Sequence, residues 1–249
     1  MDILYILGRG SKHDNIELRM SLRSISRYGS GIGRVIVAGY PCDWLSDSVL
    51  KVPIEDKYGR KHLNLMNCLL KVVDLGLVDG EFLYSSDDHF YIKPTAFDSY
   101  PYYTKGVSLR NKAIKGTRHY GYHLSLVQTR LLLEKYGLPV TNYEQHCNTH
   151  MHAKVFNNFR TLVEESLTLE RGAAPTSLIM NAWSATEYSP KEIMKRKDIK
   201  INVATSVEDI KTQIGDSECF SIGDSVFMSG GALKDFFSKE FPKKCRYEK

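Results

Sequence analysis

Residues 82–91 read FLYSSDDHFY. An apolar, aromatic run ends on two adjacent carboxylates and an imidazole, Asp87, Asp88 and His89, and aromatics resume at once. A strand that stops there sets charge at its end, where burial is partial and a ligand can reach it. Carboxylates at 87 and 88, or donors at 87 and 89, can point toward one cation; Mg²⁺ or Mn²⁺ takes one or two carboxylates while bridging substrate phosphates. That is the chemistry of a metal-dependent transferase acting on a nucleotide sugar. The plainer alternative is a solvated turn whose carboxylates cap a helix or pair with Lys93.

Other candidates are spread along the chain. Gly8, Arg9, Gly10 and Ser11 follow the first apolar run, so backbone amides and Arg9 there can cradle a phosphate or a base. The third glycine of a dinucleotide fingerprint is missing, and a tight turn is the simpler reading. Arg19 and Arg23 lie on one face of a helical pattern and, with Glu17, either form a salt-bridge lattice or reach an anionic ligand. In EQHCNTHMH, His146, His150 and His152 offer imidazoles. The HxxxH pair binds metal only if helical, and no acid stands where a zinc peptidase needs its base. One of these histidines therefore ranks as a catalytic or metal-contacting group ahead of a zinc site. Asp224, closing CFSIGD, is a second strand-end carboxylate, or an Asx turn before Ser225.

The elements that must position these residues are legible as a βαβ rhythm. Strands are expected at 3–7, 34–39, 49–54 and 82–86, with a helix over 15–28 capped by Asp14 or Asn15 and another over 61–75. Further on, helices are expected at 123–136, ended by Gly137, at 156–169 and at 232–240, with a strand at 219–224; 176–188 and 198–204 stay ambiguous. This is an α/β fold with a mostly parallel sheet flanked by helices, in which ligands bind at the carboxyl ends of strands. No repeat or linker interrupts it, so residues 1–249 read as a single domain.

Composition bounds the rest. A 249-residue chain, 42% hydrophobic and 25% charged, with no run long enough for a membrane span, reads as a soluble globular protein. MDILYILGRG lacks a basic leader and reads as a first buried strand rather than a signal peptide, which implies the cytoplasm. Five cysteines without a CxxC pair argue against a disulfide framework and a thiolate zinc site. The net charge of +5 permits an anionic partner without selecting one; the densest basic stretches, KKCRYEK at 243–249 and KEIMKRKDIK at 191–200, read as solvated faces or binding surfaces.

Taken in order, NIELRMSLRSI (15–25), FLYSSDDHFY, NYEQHCN (142–148) and FSIGD (220–224) with FFSKEFPKKCRYEK (236–249) resemble the conserved blocks of the Stealth family. Those sugar and sugar-phosphate transferases are linked to bacterial capsule synthesis and lysosomal phosphotransfer. The resemblance implies a GT-A-like nucleotide-sugar fold. Asp87 and Asp88 would meet the metal and diphosphate, Arg19 and Arg23 would lie near the donor, His146 would be the family histidine and Asp224 the late site carboxylate. Three departures stand out. His89 follows the aspartates where the family has another Asp or an apolar residue. Thr176–Asn181 carries no arginine where one is expected, removing a bidentate phosphate clamp. Cys147 and Asn148 replace the usual residues after the histidine, leaving His150 as a rival.

The expectation is a glycosyltransferase using Mg²⁺ or Mn²⁺ and a nucleotide-sugar donor, with Asp224 or His146 as base toward an acceptor hydroxyl, or His146 on the leaving phosphate. The acceptor is either a saccharide or a hydroxymethylated base in phage DNA, flipped or exposed to be reached. Transfer of sugar-1-phosphate and binding of a nucleotide sugar without turnover are the alternatives.

Overall fold

The apolar run at 3–7 lies in β1 (Asp2–Leu7), in the middle of the main sheet, and is apolar throughout because both its faces are covered. Ile3, Tyr5 and Leu7 point into one hydrophobic cluster with Leu18, Leu22 and Ile25 of α1 (Ile16–Tyr28); Leu4 and Ile6 point into another with Met66, Leu69 and Val73 of α2 (Lys61–Asp74). The structure is a computed structural model describing residues 1–9, 14–40, 42–111, 121–223 and 231–249. It is a mixed α/β fold with eight helices among the described residues and a mostly parallel central sheet.

After the short β2 (Gly29–Ser30), β3 (Val35–Gly39) and β4 (Val49–Pro53) extend the sheet on one side of β1, and β5 (Glu81–Ser85) joins it on the other. All four are parallel, with registers Tyr5↔Val37, Val37↔Lys51 and Tyr5↔Ser85. β6 (His89–Tyr91) leaves this sheet for a smaller one, and β7 (Thr95–Ala96) pairs with β2. β8 (Tyr103–Thr104) precedes α3 (Tyr122–Lys135), and β9 (Thr149–His152) closes the main sheet, running antiparallel to β5.

The helix expected at 156–169 is two, α4 (Ala153–Asn158) and α5 (Arg160–Ser166), broken at Phe159. Asn157 and Asn158 are poor helix formers there, and Asn158 spends its amide on the Tyr188 hydroxyl at 3.0 Å. α6 (Pro175–Ser184) takes up most of the ambiguous 176–188; it is buried from Pro175 to Trp183 and so lacks the polar face that would have marked its period. Proline at its first turn starts it. β10 (Met194–Lys195) pairs with β8, and β11 (Lys200–Ile201) lies within the other ambiguous stretch. α7 (Val207–Ile214), β12 (Cys219–Ile222) and α8 (Gly231–Glu240) complete a third cluster around Phe90, Phe220, Phe236 and Phe237. β12 is antiparallel to β6 through Phe220↔Phe90, and β11 is parallel to β12. No described helix is long and apolar enough to cross a membrane.

Candidate functional site

From β1 the chain moves outward through β3 and β4, then returns to place β5 on β1's other side. The crevice outside the carboxyl ends of β1 and β5 is therefore the switch point at which ligands enter open α/β sheets. Gly8 and Arg9 leave β1 there, and Asp87 and Asp88 form the turn between β5 and β6. A relay of hydroxyls pins this turn. Tyr5 OH donates to Ser21 Oγ at 3.0 Å, Ser21 Oγ donates to the carbonyl of His89 at 2.6 Å, and the amide of Tyr91 donates to Ser24 Oγ at 3.0 Å. All these side chains are buried, so α1 fixes where β5 ends and the aspartates begin.

Burial first, then the charges of Asp88 and Glu17, push the Asp87 carboxyl up to about 7 against the opposing charge of Lys61. Near neutral pH Asp87 thus still takes up a proton, which a divalent cation would displace. Two half-buried carboxylates fit Mg²⁺ or Mn²⁺, which completes its shell with water and phosphate oxygens. Among the described residues no three His, Cys, Asp or Glu side chains are gathered as a metal-binding group. His89 is buried behind the pair. Its Nδ1 accepts from the Ser86 amide at 3.4 Å, which places the neutral ring's proton on Nε2, 3.8 Å from Asp88 Oδ1. That separation is too long for a hydrogen bond to Asp88, the Asn148 side chain also lies against the ring, and burial keeps the ring neutral by lowering its pKa.

His146 lies on the β9 side of the same crevice. Burial pulls its pKa down to about 4, helped by Lys200 and His89 and opposed by Asp198 and Asp88. Its backbone amide donates to Asp198 Oδ1 at 3.1 Å, and Lys105 holds the other oxygen at 3.1 Å. On one side, the buried side-chain amide of Gln145 makes no hydrogen bond among the described residues; on the other, Asn148 faces the His89 ring. An orphaned buried amide beside a neutral imidazole is the mark of a place where something else binds.

Several residues here were not singled out from the sequence. Glu144 accepts from the amide of Ser177 at 2.8 Å and from the Thr176 hydroxyl, closing the start of α6. Its charge acts on His62, Tyr84 and Tyr122, and Tyr84 also feels Asp87 and Asp88. His62 Nδ1 lies 2.7 Å from Ser125 Oγ, and burial lowers its pKa. Asp198 and Lys200 lie in a stretch without periodic pattern, and Glu144 gave no signal beyond its place two residues before His146.

A cavity of about 430 Å³ opens at the carboxyl ends of β1 and β3, lined by Gly8, Arg9, Asp14, Asn15, Tyr40, Cys42, Asp43 and Trp44. The amide of Arg9 is held by Asp56 Oδ2 at 3.3 Å. Asp14 and Asn15 both have positive φ (50° and 49°), so neither supplies the side-chain cap expected for α1; Asn15 instead donates to Cys42 Sγ at 3.1 Å. Arg19 covers Trp44, 4.5 Å from the ring centre, and reaches Asp14 at 3.4 Å. The expected arginine lattice is built around Glu248. Arg23 grips it through Nε at 2.7 Å and a second nitrogen at 2.8 Å, donates to the carbonyl of Phe241 at 2.9 Å, and leaves Arg19 3.9 Å from the same carboxylate. The basic end, KKCRYEK, is therefore a docked strap. Tyr247 is buried, and Ser46 donates its amide to the Tyr247 carbonyl at 3.0 Å.

His150 and His152 do not join the site. The segment from His146 to His150 runs into strand β9 and is not helical, so the HxxxH pair is not formed. His150 Nε2 donates to the Tyr100 carbonyl at 2.7 Å while Nδ1 meets Glu81, and His152 accepts the Lys154 amide at 3.1 Å to cap α4. Gly10, Ser11 and Asp224 lie outside the described residues. In comparisons with known proteins, no family model matches the chain and no curated protein matches it.

Proposed function

We propose that the chain is a divalent-cation-dependent glycosyltransferase of GT-A-like architecture, moving a sugar from a nucleotide sugar to an acceptor hydroxyl. The observation that carries this is the Asp87–Asp88 pair at the switch point, with Asp87 pushed up to about 7. A strand order of β4-β3-β1-β5 with an antiparallel β9 beyond it supports the fold assignment. The cavity beside Gly8 supports the donor assignment, with Tyr40 and Trp44 as faces for a base and the arm of Arg9 within reach of phosphate.

In this reading Asp87 and Asp88 would hold Mg²⁺ or Mn²⁺, with the neutral ring of His89 buried behind them. A cation held there would supply positive charge to the diphosphate leaving group. The acceptor oxygen attacks the anomeric carbon, the bond from that carbon to the diphosphate oxygen breaks, and the nucleoside diphosphate leaves. His146, uncharged at neutral pH, accepts a hydrogen bond from the acceptor hydroxyl or faces the leaving phosphate; Asp224 is the other candidate for the proton. Gln145, whose side-chain amide makes no hydrogen bond among the described residues, is placed to complete the acceptor contacts. Arg19 and Arg23 act on the donor pocket through Trp44 and Glu248.

The basic stretch 191–200 favours a DNA acceptor, because Asp198 and Lys200 bring it against His146. A hydroxymethylated base would enter flipped or from single strands, with Lys195 and Lys197 on the phosphates. The test is mass spectrometry after incubation with a panel of nucleotide sugars and Mg²⁺ or Mn²⁺, with and without hydroxymethylated DNA. One sugar added to the DNA, with release of nucleoside diphosphate, is the expected result. Nucleotide release without DNA modification points to a saccharide acceptor, a monophosphate product to sugar-1-phosphate transfer, and no turnover with any donor to a binding module.

A further inference from the structure

Three cations at the carboxyl edge of the sheet have no task in the proposed reaction. The loop from β4 to α2 reads Glu55, Asp56, Lys57, Tyr58, Gly59, Arg60, and Lys61 opens the helix. Lys57, Arg60 and Lys61 are exposed, and among the described residues none of them is in an ion pair. Arg19, Arg23, Arg27, Arg34 and Arg160, by contrast, each meet a carboxylate. The loop is fixed at both ends. Asn64 clamps Tyr58 through both halves of its amide, accepting from the backbone N–H at 2.8 Å and donating to the carbonyl at 2.7 Å, and the amide of Arg9 donates to Asp56 Oδ2 at 3.3 Å. Asp56 is thus engaged at the exit of β1, which leaves Glu55 as the exposed acid of the loop. Lys57 lies over the Tyr58 ring, 5.6 Å from its centre. Arg60 and Lys61 stand at the positive end of α2, whose first turn holds no acid and whose free amides receive no side-chain cap. Cations there cost helix stability, since the dipole favours carboxylates at that end. Such a choice, made against the helix, is expected at a functional site that receives an anion. An aromatic stands beside these charges. His62 follows Lys61, its Nδ1 lies 2.7 Å from Ser125 Oγ, and its ring centre is 5.7 Å from that of Tyr122, which is 43% exposed at the start of α3.

We propose that Lys57, Arg60, Lys61 and Tyr122 form a binding surface for single-stranded DNA, the cations holding its phosphates and Tyr122 stacking on an unpaired base. Cations interleaved with exposed aromatic faces are the pattern that tracks a single strand, because every nucleotide offers a charge to the one and a ring face to the other. A duplex keeps its ring faces inside the stack. β4 runs parallel to β3, β1 and β5, so the loop that follows it lies at the same edge as Asp87 and Asp88, and the charge of Lys61 reaches Asp87. The basic stretch 191–200 lies on the β9 side of the crevice, where Asp198 holds the His146 amide. A strand running from one basic segment to the other passes the carboxylate pair. That delivery rests on the DNA acceptor proposed above; binding of the strand does not.

The experiment titrates the full chain into a fluorescein-labelled single-stranded oligonucleotide and follows anisotropy at salt concentrations from about 50 to 200 mM. The wild type should bind, and its affinity should fall as salt rises. The triple variant Lys57→Gln, Arg60→Gln, Lys61→Gln, checked for folding by circular dichroism, should bind about tenfold or more weakly, and its slope of log affinity against log salt should be shallower by about 2, at ~0.7 for each phosphate released. Tyr122→Ala should bind about fivefold or more weakly with the slope unchanged, because stacking releases no counterions. Lys71→Gln, Lys154→Gln, which removes two exposed cations at the opposite edge of the sheet, should alter neither quantity. No binding by the wild type, a duplex bound as tightly as the single strand, or a triple variant with unchanged slope would overturn the surface. Unchanged affinity in Tyr122→Ala overturns the stacking contact. Loss of nucleoside diphosphate binding in the triple variant, with DNA binding intact, also overturns the proposal and assigns the cations to the donor. A wild type that binds the strand and moves no sugar counts against the function proposed and leaves the surface standing.

Discussion

Asp87 makes opposite demands on stability and on chemistry. Its folded pKa of about 7 stands above the ordinary 3.8, so folding takes up a proton. The group favours the fold fully below pH 3.8, and that contribution is lost as pH rises through 7. Asp87→Asn is therefore expected to raise Tm at pH 8 relative to wild type and to leave it nearly unchanged at pH 4, while nucleotide-sugar turnover falls by about 100-fold or more. Thermal melts at the two pH values and a turnover assay check this. Cation binding should release close to one proton near pH 6 and tighten as pH rises to 8, readable by calorimetry in buffers of different ionisation enthalpy. His146 has the reverse sign. With its pKa lowered to about 4, stability present above pH 6.5 is lost as pH falls toward 4, because the unfolded chain binds the proton first. His146→Gln should remove up to about 3 kcal/mol of that acid-side decline, measured by urea unfolding at pH 7 and 4.5.

At the scale of elements, the site depends on how α1 and the strap are tied. Glu248 has 2% of its side chain exposed and Arg23 14%, so Glu248→Ala leaves a guanidinium half-buried without its partner. The expected cost is roughly 2–4 kcal/mol, seen as a Tm lower by about 5–10 °C. The strands around the switch point were readable because β1, β3 and β5 are continuous apolar runs with glycine or acid at their ends. α6 was not readable, since a helix buried all round shows no period. The break at Phe159 was hidden because a two-asparagine interruption leaves the apolar spacing intact. Within the site, Asp87 and Asp88 stood out as charge following a strand, and His146 as one of three close histidines. Glu144, His62 and Lys200 meet them only through tertiary packing, as do the serines that pin the aspartate turn. Sequence spacing also could not separate His146 from His150, which the pairing of β9 with β5 places on Glu81.

For the molecule as a whole, a parallel sheet that reverses its order between β1 and β5 gathers two pairs of elements at one edge: the β1 and β3 ends with the cavity, and the β5 turn with the β9 approach. Donor and acceptor would approach from these two sides, and the carboxylate pair stands between them. The most direct test is calorimetric titration of a nucleoside diphosphate into the wild type and into the Asp87→Asn, Asp88→Asn double variant, each with Mn²⁺ and with excess chelator. Binding by the wild type that needs Mn²⁺ and is lost in the variant is the predicted result. Equal affinity with and without Mn²⁺, or unchanged affinity in the double variant, would contradict the assignment of the aspartate pair.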